Sequence, residues 1–204
     1  MIGSYNALYA RSQVVKRRRD PRLANLLGAL STGISDGIYE STAMAAGLDG
    51  VASAALIALL DFMPGGSVRT LSQVVGLTHS GAVRVVDRLV AERLVTRGSS
   101  ADARSRSITL TARGVKVARD VRAARERAVS GVLEQLTASE RAMLTTLSER
   151  LVAGITEQRL EKRRAGEKPA GGALCRMCDF GACGREIGMC PAAQTVATFR
   201  AGRP

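Results

Sequence analysis

Every cysteine of this chain, Cys175, Cys178, Cys183 and Cys190, falls within sixteen positions, in the order Cys-x2-Cys-x4-Cys-x6-Cys. Four thiolates spaced so closely can supply all the ligands of one metal centre, and Gly181, Gly184 and Gly188 let the short loops between them turn without Cβ clashes. Cys175 and Cys178 form one close chelating knuckle. Structural zinc most often uses two such knuckles, whereas Cys183 and Cys190 stand seven positions apart. Iron–sulfur ligands tolerate unequal compact gaps, and the last is often followed by proline, as Cys190 is by Pro191. An iron–sulfur centre, 2Fe–2S or 4Fe–4S, is therefore favoured; a structural zinc site is the alternative, and regulatory disulfides or uninvolved thiols stay open.

Composition limits what such a centre can serve. The 204 residues carry 30 Lys and Arg against 18 Asp and Glu, a formal charge of +12, which points to a polyanionic partner. Aromatic residues make up 3% and Trp is absent, which disfavours the stacking platforms used on single strands and leaves duplex DNA as the better partner. One histidine, His79, excludes most His-dependent catalytic arrangements, and the chain is expected not to be an enzyme. No run of eighteen apolar residues exists, so no membrane span is expected. Residues 16–19 (KRRR) ahead of the apolar residues 23–34 have the shape of an export signal, but Asn25, Ser31 and Thr32 interrupt it; a cytoplasmic location, with thiols reduced, is the expectation.

The elements that must position the cysteines are mostly helical. Residues 1–20 read as a basic arm. Leu23, Leu26, Leu27, Leu30, Ile34 and Ile38 recur at helical spacing over 21–48, and VASAALIALLDFM predicts a short helix apolar on all sides and therefore central. VRTLSQVVGLTHSGAVRVVDRLVAERLV then divides at Gly76 and Leu77 into a helix-turn-helix. In its second helix Val83, Val86, Val90 and Leu94 are expected to pack, while Ser80, Arg84, Asp87 and Arg88 face outward as a helix in a major groove requires. Strand-like residues 94–97 and 107–111 flank a polar tip with Arg104 and Arg106, a hairpin wing suited to a minor groove, with Arg97 and Arg113 as phosphate contacts. Two long helices follow over 112–165, the second opened by a Thr137 to Glu140 capping box and striped by Met143, Leu144, Leu147, Leu151 and Ile155. Their narrow apolar stripes suggest a second copy of the chain. Residues 166–204 form a linker and the cysteine segment.

With these residues in place, 22–160 resembles the MarR family of winged helix-turn-helix repressors: mostly α with a small β-wing, DNA-binding over 49–111. LSQVVGLTHSGAVRVVDRLVAERLVTR is similar to the family's recognition unit, and ADARSRSITLTARG to its Asp-x-Arg wing signature. The resemblance implies minor-groove entry by Arg104, with Asp102 orienting nearby basic groups. It implies groove contacts from Thr78, His79, Ser80, Gly81 and Arg84, a homodimer on palindromic double-stranded DNA, and a repressor released by a signal, in relatives often a small phenolic acid. The cysteine segment departs from the family. Its spacing is similar to the C-terminal cluster of SoxR regulators, with two of three gaps different. Two other classes compete: an iron–sulfur or thiol redox enzyme, which would turn over a substrate and leave no footprint, and a nucleoid-type protein binding DNA without sequence preference.

Overall fold

In the computed structural model the described residues are 20–99, 106–167 and 171–202, Ser99 and Arg106 by their backbone alone. The chain divides into two units, residues 1–35 and 36–204. Helix α1 (Pro21–Ala46) begins in the first. There Asp20 caps it by accepting from the Leu23 N–H at 2.9 Å, and Leu23, Leu26, Leu27 and Leu30 are exposed along it.

The second unit is built around α2 (Gly50–Ile57), capped by Asp49, and a π-helical turn over Ala58–Phe62. Residues 52–59 are all buried, as the absence of any polar face requires. The π-turn closes with the Met63 N–H on the Ala58 carbonyl at 2.8 Å; its extra residue changes the direction in which Asp61 and Phe62 leave the core. Helices α3 (Val68–Val75) and α4 (His79–Ala91) follow, then strands β1 (Val95–Ser99) and β2 (Arg106–Leu110), paired antiparallel from Val95 opposite Leu110 to Ser99 opposite Arg106. The Ile108 N–H also donates to the Gly66 carbonyl at 2.9 Å, which docks the hairpin on the chain ahead of α3. Leu56, Leu71, Val86, Leu89, Leu94, Val95, Ile108 and Ala118 share one core.

Helix α5 (Ala112–Leu133) starts beneath β1, with Gly114 so close to the Leu94 carbonyl that no Cβ fits, and lays Ala118, Val121 and Ala124 into the interior. Helix α6 (Ala138–Arg164) opens with the expected capping box, Thr137 and Glu140 each serving the other's backbone N–H; the Thr137 hydroxyl and then its backbone N–H, both donating to the Glu140 carboxylate, hold that carboxyl below its ordinary pKa. Residues 138–151 are exposed throughout, Met143 at 66% and Leu151 at 54%, so an apolar stripe on this helix has no partner within the unit. Among the described residues no single helix is long and apolar enough to cross a membrane.

Three sequence expectations change. The buried stripe of α4 is Ala82, Val86 and Leu89, whereas Val83 is half-buried and Val90 is 37% exposed. Residues 171–173, expected to be part of a flexible linker, are packed on the end of α3: the Ala173 N–H donates to the Val74 carbonyl at 2.7 Å. A further helix, α7 (Pro191–Ala201), follows the cysteines directly and packs on α6. The core assignment predicts that Ile108→Ala costs about 2–5 kcal/mol in a denaturant titration; a change below that range would mean the hairpin does not pack on the core as described.

Candidate nucleic-acid interface and thiolate centre

The helix-turn-helix is shaped by its caps. Ser67 accepts from the Thr70 N–H and opens α3; Gly76, at φ +82, ends it, with the Gly76 and Leu77 N–H groups both donating to the Ser72 carbonyl at 3.0 and 2.9 Å. Thr78 then caps α4 by accepting from the Gly81 N–H at 3.1 Å. Only Gly76, Leu77 and Thr78 separate the two helices, which is how the turn fixes the angle between them. Thr78, His79, Ser80 and Arg84 are exposed on α4, as are Arg69, Thr70 and Gln73 on α3. An open groove of about 1100 Å³ runs past Arg69, Gln73, Thr78 and His79 to Arg163 at the end of α6. Sequence reading did not single out Arg69 and Gln73; their i and i+4 spacing on one face of α3 was the available signal.

Of the other expected contact residues, Arg88 is bound to Asp49 at 2.7 Å and Arg97 to Asp87 at 2.6 Å. These pairs tie α4 to the start of α2 and β1 to α4, so both guanidinium groups already have carboxylate partners. Thr78 spends its side-chain oxygen on the cap, and Gly81 its N–H. Asp102 and Arg104 lie outside the described residues, as does the side chain of Arg106; the two strands that carry the wing end at Ser99 and begin again at Arg106.

The cysteine segment folds against the same unit. Arg122 of α5 reaches Asp61 of the π-turn at 2.9 Å and Asp179 at 3.3 Å, bridging the core to the segment. The Arg185 guanidinium lies 4.5 Å from the ring centre of Phe180 and 5.8 Å from that of Phe62. All four thiols are free; Cys190 is buried and the others are half-buried. They stand as two hydrogen-bonded pairs, Cys175 with Cys178 and Cys183 with Cys190, close enough that each pair feels the other's charge. Hydrogen bonding to Cys178, then burial, pushes the Cys175 thiol far up. The same bond pulls Cys178 down to about 6 against its burial, helped by Arg125, Arg185 and Arg176. Burial, then the bond with Cys190, raises Cys183 to about 11. Among the described residues no three Cys, His, Asp or Glu groups already converge on one point. Four sulfur donors, one of them favoured as a thiolate by Arg125, Arg185 and Arg176, are the donor chemistry that a thiolate-bound metal centre uses.

These elements define a winged helix-turn-helix protein with an added thiol-rich segment. A family model described as the MarR family matches residues 46–105. The fold is shared with a MarR family protein from Bacillus stearothermophilus (24% identity, 67% of this chain and 94% of that one, TM-score 0.59) and one from Mycobacterium tuberculosis (25%, 66% and 96%, 0.53). It is also shared with MepR, a transcription regulator of the Staphylococcus aureus multidrug efflux pump MepA (14%, 65% and 97%, 0.57). No curated protein sequence matches. Residues 46–105 are thus similar to the MarR family and share its winged-helix fold, and about a third of the chain lies beyond what those structures cover.

In the reduced, metal-free protein, iodoacetamide should modify Cys178 first, at a rate rising through a midpoint of about pH 6, while Cys183 gains reactivity only towards pH 11. Equal labelling of the two at neutral pH, read by peptide mass spectrometry, would contradict the hydrogen-bonded arrangement.

Proposed function

We propose that this protein is a sequence-specific DNA-binding transcription regulator, a repressor acting as a homodimer on palindromic duplex sites. The observation that carries this is the capped helix-turn-helix, whose outward face presents Ser80, Arg84, Arg69 and Gln73 and whose residues fall within the MarR-family match. Arg84 is suited to base edges and Arg104 to the minor groove; Arg88 and Arg97 act first through their carboxylate partners, holding α4 and the wing in place. The unpartnered stripe of Met143, Leu147, Leu151 and Ile155 on α6 supports dimerisation, which sets two recognition helices about one turn of DNA apart, ~34 Å.

The finer reading assigns the signal to the cysteines. Cys175, Cys178, Cys183 and Cys190 would hold an iron–sulfur centre, which supplies one-electron chemistry and lability to oxidants when bound. Arg125, Arg176 and Arg185 offset the charge of the thiolates. A second reading has its own observation: a pocket of about 230 Å³ with apolar walls from Phe62, Leu160, Leu174 and Val196 and guanidinium groups from Arg159, Arg163 and Arg185. It suits a small organic acid, and with zinc on the cysteines such a ligand would be the inducer.

The DNA half is tested by selecting duplexes from a random library and titrating them. Arg84→Ala should flatten sequence preference, losing about 1–3 kcal/mol of discrimination at one base pair, and a fully selective variant would show the helix to be misplaced. Arg104→Ala should weaken binding and reduce its salt dependence by about one counterion; an unchanged salt slope would remove the wing assignment.

A further inference from the structure

We infer that residues 171–173 are a positioning latch by which the cysteine segment holds the helix-turn-helix turn in its DNA-reading geometry. The inference rests on the DNA-binding reading above and adds the route by which the segment reaches that surface. Three observations meet at one place. The Ala173 N–H donates at 2.7 Å to the carbonyl of Val74, one of the last carbonyls of α3, which has no acceptor role inside its own helix. Gly172 is buried against the turn with no room for a side chain: a Cβ there would meet the Val74 carbonyl oxygen, the Val75 carbonyl carbon at 2.5 Å and the Gly76 nitrogen at 2.6 Å. From the other side, a Cβ on Gly76 would meet the backbone of residues 171 and 172. The Arg159 guanidinium of α6 fixes the strip by donating to the Gly172 carbonyl at 3.0 Å.

The latch is continuous with the thiols. Arg176 donates back to the Ala173 carbonyl at 3.1 Å, and the Cys178 N–H donates to the Cys175 carbonyl at 3.1 Å, so a single short turn joins Ala173 to the first cysteine pair. Beyond it, Arg122 and the rings around Arg185 anchor the segment to α5 and the π-turn. A rearrangement of Cys175 and Cys178 therefore pulls on Ala173, and Ala173 is bonded to the helix that ends at Gly76. With the latch closed the angle between α3 and α4 is fixed before DNA arrives; with it open the turn must be ordered on binding, which lowers affinity.

The test is hydrogen exchange on the full-length protein. It compares wild type with Gly172→Ala, which blocks the close approach, with Arg159→Ala, which removes one anchor without adding bulk, and with a Cys175→Ser, Cys178→Ser double variant. The latch predicts faster exchange at Ala173, Gly76 and Leu77 in all three, unchanged exchange at Val121 inside α5, recovery in Arg159→Lys, and about tenfold weaker binding to the selected duplex. Unchanged Gly76 and Leu77 amides in the cysteine variant would overturn it, whatever the protein does with DNA. Wild type that binds no duplex, with those amides still responding, would retain the latch and remove the DNA reading.

Discussion

The C-terminal end of α3 sets the terms for the rest of the molecule. A helix leaves its final carbonyls without internal partners, and here the turn that follows is only Gly76 and Leu77 before Thr78 caps α4. The Val74 carbonyl is satisfied from a distance of almost a hundred residues, by Ala173. That one bond requires a residue without a side chain at 172, brings α6 alongside through Arg159, and places the cysteines beside the unit that carries α4. The exposed face of the helix-turn-helix and the thiols share a scaffold because the end of one short helix is completed by the segment that precedes the cysteines.

Charge is distributed according to the same division of labour. Although the chain carries +12, several arginines serve internal contacts: Arg88 and Arg97 lock α4 to α2 and β1, Arg122 bridges the π-turn to Asp179, and Arg185 lies over two aromatic rings. Each of these pairs is partly exposed, so each adds modest stability while fixing direction. Arg69 and Arg84 remain at the exposed face of the helix-turn-helix, where a phosphate or base edge can be met. The arginines around Cys178 have a third task, favouring a thiolate in a half-buried site.

Local signals in the sequence were enough for the order of elements, because helical periodicity, the Gly76 turn and the Thr137 capping box each depend on residues within a few positions of one another. The packing face of α4 lies one position from the one its valines suggest: Val83 and Val90 mark a stripe in the sequence, yet Ala82 and Leu89 are the residues that meet the core. Alanine gives a weak apolar signal, and which face packs is decided by α2 and the wing. Helix α7 is faint in the sequence for the same reason, its Ala and Thr content giving no strong stripe, although Pro191 at its first turn is a helix-start signal. Residues 171–173 looked like a linker because glycine marks both flexibility and close approach, and only the fold tells them apart. The cysteines were legible as a cluster, their division into two hydrogen-bonded pairs was not, and Asp102 and Arg104 lie outside the described residues.

On the reading proposed above, the state of the four thiols sets how well α4 reads DNA. The most direct measurement is the affinity of anaerobically purified protein for its selected duplex before and after chelation, with iron, sulfide and zinc counted per chain. The expected result is matching iron and sulfide in the starting protein, and affinity about tenfold weaker once they are removed. Equal affinity in the loaded and stripped protein, at full occupancy, would contradict it.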